Sequence, residues 1–542
     1  MSDEPGGLTR RHFLQQTTAF AAAFTLVPPG LRAWAEDAGL PHVRTLDDLE
    51  RGFTAPPAST RPWVYWYWLS DNVSRQGITR DLEAMARVGI GEALIGSIFL
   101  DDEPGGNVKA LTEPWWELLV HAVREGRRVG VDIGLYNSPG WSQSGGPWVT
   151  PEQSMRYLVS TERRLTGPQR FEGTLPAPAD PFQDVALLAF PAPARDADTL
   201  DRHAPRVTTA PAAPDVAHLF DGDRTAAFVL PPDTARQPFT VDVEVAAPFV
   251  ARSLTLHPAP VPLAVNVEVL AEDDTGALRP VRSFRLDRSN PMLAVGPMVY
   301  GPLTVAFPAV TTRRFRFVFT GLEGREGAGL TEIELSGAAR LEQVVEKQLG
   351  KMHPTPHPLW DAYLWPPSAE PEQPDLAVQP EAVVDLRGHL GAGGVLRWDV
   401  PPGEWIVLRT GMTPTKVTNA PASPEATGLE VDKMNRQALE AHFDAYVGQL
   451  LRRLTPDERT AFRHVVADSY ETGSQNWTEG FEEAFRARYG YDPVRWLPVL
   501  TGRLLGSAGQ SDRFLWDLRR LVADRVSTEY VGALRELSHR HG

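Results

Sequence analysis

The sequence predicts a mixed fold in which a parallel α/β sheet of the barrel type is interrupted by antiparallel β modules. Three observations lead to this prediction. Residues 63–136 alternate apolar strand-like runs with amphipathic helix-like segments over short connections, which is typical of right-handed βαβ units. Residues 168–338 lose helical periodicity and carry short alternating runs between Pro and Gly turns, which favours antiparallel strands. From residue 428 onward the helical pattern returns and leads into another apolar strand.

Length and composition limit the class of protein. The chain has 542 residues, more than one hydrophobic core usually holds, so we expect two or more domains. Its formal net charge is -15 without a long Lys/Arg block, which argues against nucleic acid and anionic membrane surfaces as partners. The sequence contains no Cys, so disulfides and thiolate metal sites are excluded.

Residues 1–35 are predicted to be an export signal. Arg10 and Arg11 precede the apolar run of residues 18–27, and Ala33-Trp34-Ala35 follows as a small-x-small cleavage site. This order resembles a twin-arginine signal, with cleavage after Ala35 and delivery of the folded protein to the periplasm or outside the cell. The apolar run is too short to span a bilayer, so we expect no membrane association after cleavage.

Residues 36–167 are assigned to the first part of the barrel. The predicted strands are Trp63–Leu69, Ala93–Phe99 and Val131–Tyr136. Helices are expected over residues 79–88, with Thr79 as the N-cap, and over residues 114–129, with Pro114 in the first turn.

The loop after the third strand, residues 137–151, holds two tryptophans on Gly- and Pro-rich sequence. An aromatic face stacks on the apolar C–H face of a sugar ring, so Trp141 and Trp148 are candidate walls of a sugar site. Packing within the loop is the alternative for either residue.

Residues 168–340 are predicted to form a β-sandwich insertion. Alternating runs over residues 239–245, 253–256, 264–270 and 314–319 supply its strands. Residues 219–223, Leu-Phe-Asp-Gly-Asp, weakly resemble the opening of discoidin-like carbohydrate-binding modules, and a merely structural insert is an equal alternative. Residues 341–427 are expected to be a connector and a small β unit, with a helix over 341–349 and strands over 381–386 and 394–409.

Residues 428–542 are expected to resume the barrel. A helix over residues 436–454 leads into a strand over residues 462–471, which is expected to be buried and parallel and to deliver Asp468 and Glu471 at its C-terminal end. Active sites of α/β barrels lie at that end of the strands. Helical segments follow over residues 479–489, 497–505 and 512–539.

Several motifs together resemble glycoside hydrolase family 106, the α-L-rhamnosidase-like enzymes. They occur in family order from about residue 60 to the end, and they are Trp63 to Asn72 with residues 77–85, Tyr136 to Trp141, Gly145 to Glu152, Gly428 to Lys433, and Asp468 to Glu471 with Gln475 to Thr478. The resemblance implies a catalytic (β/α)8 barrel with β-sandwich insertions. It also implies hydrolysis of terminal α-L-rhamnosides with inversion, a carbohydrate substrate and dependence on calcium.

The resemblance and the strand ends together give the candidate site. Inverting hydrolysis uses one carboxylic acid and one carboxylate about 6.5–9.5 Å apart. We assign Glu471 as one of this pair, most simply the acid. Asp468 is expected to orient the site or to contact sugar hydroxyls or metal, and Asn137 to contact substrate. A capping role for the acids after the strand is the alternative. Glu430 and Asp432 are candidate calcium ligands, since calcium prefers several oxygens, although acids before a helix are usually capping residues.

The number of predicted parallel strands is four, at Trp63, Ala93, Val131 and Val465, whereas a closed barrel of this type needs eight. About the first half of the barrel is therefore expected here, with the second catalytic carboxylate on a part that this chain does not contain. Our hypothesis is a fragment that needs a complementing C-terminal chain and is inactive alone. A noncatalytic carbohydrate-binding protein and an enzyme acting on a related sugar are the alternatives.

Overall fold

The computed structural model describes residues 45–102, 104–292, 295–351 and 368–542. The predicted export signal lies outside these residues. The chain divides into two compact units, of which the first ends at Pro62. Its described part contains helix α1 (Leu46–Thr54), whose start is fixed by a capping box between Thr45 and Asp48. The second unit, Trp63–Gly542, contains all the sheets described below.

The second unit begins with the predicted alternation of strands and helices. The elements are β1 (Trp63–Leu69), α2 (Arg75–Arg87), β2 (Glu92–Ile98), α3 (Glu113–Val129) and β3 (Asp132–Tyr136). Helix α2 starts four residues before the predicted Thr79, because the Ser74 side chain accepts a hydrogen bond from the Gly77 N–H and caps it. Helix α3 has Pro114 in its first turn and ends at Gly130 in the left-handed conformation (φ 75°).

Two antiparallel sheets follow. Their strands are β4 (Arg156–Thr174), β5 (Gln183–Pro191), β6 (Arg206–Ala210), β7 (Phe228–Val229), β8 (Phe239–Pro258), β9 (Leu263–Glu272), β10 (Leu278–Arg288), β11 (Leu303–Gly324) and β12 (Gly329–Ser336). Strands β6 to β12 form one seven-stranded sheet with order β10-β9-β11-β8-β12-β7, in which β6 pairs with β8. Its core is a cluster of buried Phe, Val and Leu side chains. The antiparallel strands predicted from alternation are confirmed, whereas the β-sandwich and its bounds stay predictions.

The connector differs from its prediction in two places. Helix α4 spans only Val344–Lys347, because Gln343 and Leu349 on either side adopt left-handed backbone. The strand expected over residues 381–386 shrinks to β13 (Val384–Asp385), since Pro380 starts a 3₁₀ turn. Strands β14 (Leu390–Gly391) and β15 (Val395–Pro414) complete a five-stranded sheet with β13, β5 and β4. Strand β4 therefore crosses the domain boundary predicted at residue 167.

The predicted helix over residues 436–454 is two helices, α5 (Arg436–Ala445) and α6 (Val447–Arg453). The break falls at Tyr446, whose fully buried ring packs against Trp115, Trp116 and Trp148. The short helix α7 (Pro456–Arg459) then leads into β16 (Phe462–Val466). This strand ends at Val466 rather than at Glu471, where its end was predicted.

The remaining chain is helical. It contains α8 (Phe481–Tyr489), a 3₁₀ segment (Val494–Thr501), α9 (Ala508–Arg525), a π-helical segment (Val526–Gly532) and α10 (Ala533–Arg540). Among the described residues, no helix combines the length and the apolar character needed to cross a bilayer.

Strands β1, β2, β3 and β16 form a four-stranded parallel sheet in that order. Side chains of α2, α3, α5 and α6 cover one face, where Trp66 and Trp68 are buried. The opposite face carries Trp63 and Tyr65, which are 56% and 45% exposed. The four predicted strands are thus present, whereas closure into an eight-stranded barrel stays a prediction. Strand β16 lies at an edge of the sheet, so it is half-buried rather than buried as predicted.

Candidate active site

The candidate site forms where β3 and β16 end side by side. Because these strands are parallel neighbours, the segment after each one leaves the same edge of the sheet. We call residues 137–148 the β3 loop and residues 467–478 the β16 loop. The Asn137 N–H donates to the Val466 carbonyl at 2.8 Å, which continues the pairing one residue beyond β3. The two loops carry all the predicted substrate and catalytic residues.

Asp468 is held by contacts from β3 and the β3 loop. The Tyr136 hydroxyl donates to Asp468 Oδ2 at 3.2 Å, and Gln143 Nε2 donates to the Asp468 carbonyl at 2.7 Å. Burial raises the pKa of Tyr136, so its hydroxyl remains a donor at neutral pH. The structure therefore places Asp468 beside the β3 loop, and its role at the site stays a prediction.

Glu471 lies three residues further along the β16 loop and is exposed. Its Oε1 accepts a hydrogen bond from the Ser469 hydroxyl at 2.6 Å, while the Asp468 carboxylate accepts from the Ser469 N–H at 2.8 Å. Ser469 thus links the two carboxylates through one residue. An exposed carboxyl group beside a polar loop is free to approach a substrate.

The two candidate tryptophans have different surroundings. Trp141 is half-buried and lies 6.2 Å from the Tyr67 ring, with an interplanar angle of 45°. Trp148 stacks on Tyr446 at 5.8 Å and donates its indole N–H to His442 Nδ1 at 3.1 Å. The contacts of Trp148 are those of the packing alternative, and Trp141 remains the candidate sugar wall.

Asn137 points into the interior. Its side-chain Nδ2 donates to the backbone carbonyl of Gln143 at 3.0 Å. Its backbone carbonyl accepts from His442 Nε2 at 2.7 Å. Its Oδ1 is buried and has no hydrogen-bond partner in the described chain. Because this side chain is buried, its contact with substrate stays a prediction.

Glu430 and Asp432 do not fit the predicted calcium site. Both carboxylates are fully buried, and Glu430 Oε2 lies 2.5 Å from the Lys433 ammonium, which already supplies its counter-charge. Asp432 accepts hydrogen bonds from Gln475 Nε2 at 2.6 Å and from the Thr478 hydroxyl at 2.5 Å. No group of three or more acidic or histidine side chains suited to a metal ion occurs in the described residues. These donors occupy three of the four carboxylate oxygens, and Glu430 Oε1, which has no hydrogen-bond partner in the described chain, is by itself too few for calcium, which takes about six to eight oxygen ligands.

Sequence reasoning did not single out three buried residues of this region. Lys433 lies within a quoted motif, yet a lysine is not expected to be fully buried. His442 and Tyr530 sit on helical segments, where nothing in the sequence distinguishes them from ordinary core positions. Tyr530 covers the Lys433 ammonium, 4.7 Å from its ring centroid. These three residues come close to the two loops only in the folded chain, so no pattern in the sequence marks them.

Comparison with known proteins gives matches over nearly the whole chain. Residues 54–542 match the model of the glycoside hydrolase 106 family, described as alpha-L-rhamnosidase. A rhamnosidase structure from Novosphingobium sp. PP1Y superposes with a TM-score of 0.76 and 31% identity, over 91% of this chain and 46% of that one. A putative beta-glucuronidase from Formosa agariphila is 27% identical over 503 residues, which are 92% of this chain and 30% of that protein. The chain thus spans less than half the length of these two relatives.

Proposed function

The chain belongs to glycoside hydrolase family 106, and we propose that it acts as a glycosidase on terminal α-L-rhamnosides by inverting hydrolysis, with Glu471 as the general acid. The observation that carries the assignment is the placement of Glu471 and Asp468 together at the C-terminal edge of the parallel sheet, exposed and half-buried respectively. In this reaction the acid protonates the leaving oxygen while a second carboxylate activates water on the opposite side of the sugar.

Asp468, Asn137 and Trp141 supply the substrate contacts in this proposal. The carboxylate of Asp468 is held by the Tyr136 hydroxyl and can accept from sugar hydroxyls. Asn137 offers an unused Oδ1, and Trp141 offers an aromatic face. The Formosa relative is described as a putative beta-glucuronidase, so a glucuronide is the second candidate substrate.

The proposal includes a further polypeptide that covers the open face of the parallel sheet. Parallel sheets have both faces covered in nearly all proteins, yet Trp63, Tyr65 and Tyr67 lie exposed along one side of β1. Both matched relatives are more than twice as long as their shared region. A complementing chain on this face would also bring its own strand ends to the same edge, where the second carboxylate is required.

Export by the twin-arginine route completes the proposal. Its basis is the order of Arg10 and Arg11, the apolar run and the Ala33-Trp34-Ala35 site. A chain without Cys needs no oxidative step in the periplasm or outside the cell.

The test is hydrolysis of chromogenic α-L-rhamnoside and β-glucuronide by three proteins: wild type, Glu471→Gln, and Glu483→Gln as a control at an exposed glutamate of α8. We expect Glu471→Gln to lower kcat by about 10²–10⁴-fold while sugar binding persists, because a general acid contributes that much. The control should match wild type. Each assay is run alone and with the unmatched part of the Novosphingobium rhamnosidase added as a separate chain.

Turnover that appears only in the mixture supports a complementing chain. Turnover by the isolated chain shows that no such partner is needed. Equal rates for wild type and Glu471→Gln would refute the assignment of the acid.

A further inference from the structure

A buried strap joins the two loops of the candidate site. The strap is residues 428–433. It contains Glu430, Asp432 and Lys433, which are the three charged residues at 0% exposure in the described part of the chain. It lies between the β3 loop and the β16 loop and has a different set of contacts with each. These contacts are side-chain hydrogen bonds as well as backbone pairing, so the strap connects the loops in a defined geometry.

On the side of the β3 loop, the strap forms hydrogen bonds with Ser144. The Lys433 ammonium donates to the Ser144 hydroxyl at 2.7 Å and to Glu430 Oε2 at 2.5 Å. Glu430 Oε2 also accepts from the Ser144 N–H at 3.3 Å, and the Val431 N–H donates to the Ser144 carbonyl at 3.0 Å. Every polar group of Ser144 is therefore bonded to the strap.

On the side of the β16 loop, the strap forms hydrogen bonds with Gln475 and Thr478. The two carboxylate oxygens of Asp432 accept from Gln475 Nε2 at 2.6 Å and from the Thr478 hydroxyl at 2.5 Å. The Lys433 N–H donates to Gln475 Oε1 at 3.0 Å. Gln475 and Thr478 follow Glu471 by four and seven residues, so they anchor the C-terminal part of the loop that carries it.

Stability alone does not explain these charges. A buried ion pair is often no more stabilising than apolar side chains of the same size, because desolvation offsets the Coulomb attraction. Charged hydrogen bonds in a dry interior do, however, fix geometry. Glu430 and Lys433 bind the β3 loop and Asp432 binds the β16 loop, and these two loops present the candidate catalytic and substrate residues.

We propose that Glu430, Lys433 and Asp432 are positioning residues that fix the β3 loop and the β16 loop relative to each other, and so aim Glu471 at a sugar beside Trp141. This inference rests on the proposed function for its consequence in catalysis. The fixing of the loops is a property of the ligand-free protein and is tested separately.

The first test is amide hydrogen exchange of the ligand-free protein followed by mass spectrometry. The double variant Glu430→Gln/Lys433→Met removes the ion pair between these two residues without leaving either charge unpaired. Asp432→Asn weakens the hydrogen bonds to Gln475 and Thr478 in the β16 loop. We expect exchange to rise about tenfold to hundredfold in residues 142–148 for the double variant and in residues 472–478 for Asp432→Asn. Peptides from α2 and α3 should keep wild-type rates.

Arg252→Met is the matched control, since this buried arginine donates to Glu372 at 2.8 Å and to the Gly337 carbonyl at 3.1 Å, neither of which belongs to the two loops. It should leave exchange in the two loops unchanged. Ser144→Ala, a small change, repeats the test on the β3 loop if the double variant fails to fold. Unchanged exchange in the loops, or an equal rise throughout the unit, overturns the inference.

The second test is kinetic. Asp432→Asn should lower kcat about tenfold and change KM less than about twofold, because the aim of the acid matters in the transition state. Loosened loops with an unchanged kcat overturn the positioning role. If wild type hydrolyses no glycoside in any mixture, the proposed function fails, and the exchange pattern still decides whether the strap fixes the loops.

Discussion

Protonation of His442 should uncouple the β3 loop from the helices beneath it. Its imidazole is fully buried, with Nε2 2.7 Å from the Asn137 carbonyl and Nδ1 3.1 Å from the Trp148 indole nitrogen. A carbonyl can only accept and an indole N–H can only donate, so the ring is neutral with its proton on Nε2. Charging the ring would place two N–H groups against the indole donor.

The size of the effect follows from the pKa of His442. Burial, the hydrogen bond to the Asn137 carbonyl and the charge of Lys433 together bring this pKa from 6.5 to about 3; burial has the largest effect, the Asn137 carbonyl opposes it, and Lys433 adds to it. Between these values the unfolded chain binds a proton that the folded chain does not. The contribution of neutral, buried His442 to the free energy of unfolding is therefore fully present above about pH 6.5. It is lost as the pH falls toward 3, at about 1.4 kcal/mol per pH unit. At about pH 4.5 the loss is about 3 kcal/mol.

The assay compares wild type with His442→Gln by urea unfolding near pH 7 and near pH 4.5. Glutamine keeps one acceptor and one donor but does not titrate in this range. Other groups that titrate act equally in both proteins and cancel in the difference. The difference in unfolding free energy should change by about 3 kcal/mol in favour of the variant on acidification. A difference that changes by less than about 1 kcal/mol would refute a neutral, buried His442.

Two further pairs of substitutions test separate parts of the molecule. Asp196→Ala should cost about 3–5 kcal/mol in urea unfolding, because Asp196 is buried and its removal leaves Arg340 and Arg503 without their shared carboxylate. The exposed pair of Asp385 with Arg387 is the control, and Asp385→Ala should cost less than about 1 kcal/mol. Trp148→Ala should destabilise the fold by about 3 kcal/mol, since its ring packs on Tyr446, whereas Trp141→Ala should weaken sugar binding in titration calorimetry with a smaller loss of stability. The reverse order of the two tryptophans would show that their roles are exchanged.

Local sequence patterns were sufficient for much of the secondary structure. Strand β1 matches its predicted bounds, Trp63–Leu69, because alternation of aromatic and aliphatic residues is a property of adjacent positions. Start and stop signals were less informative where two side chains competed. Ser74 rather than Thr79 caps α2, and the buried ring of Tyr446 coincides with a break that helical periodicity does not mark.

The candidate site was predictable in part. Asp468 and Glu471 could be located because polar residues directly after an apolar strand lie at the edge where parallel sheets hold their sites. The partners of these residues come from distant parts of the chain, and no local pattern pairs Tyr136 with Asp468 or His442 with Trp148. For the same reason the sequence favours Glu430 and Asp432 as calcium ligands, since it does not show that Lys433, Gln475 and Thr478 bind three of their four oxygens.

The sequence by itself determined the order of the βα units, the antiparallel insertion and membership of the family, because each rests on residues close together in the chain or on motifs in a fixed order. Tertiary structure alone decided which acids are exposed and which are neutralised. Burial and hydrogen bonding depend on segments hundreds of residues apart, and these set the chemistry of a carboxylate more strongly than its own neighbours in sequence do.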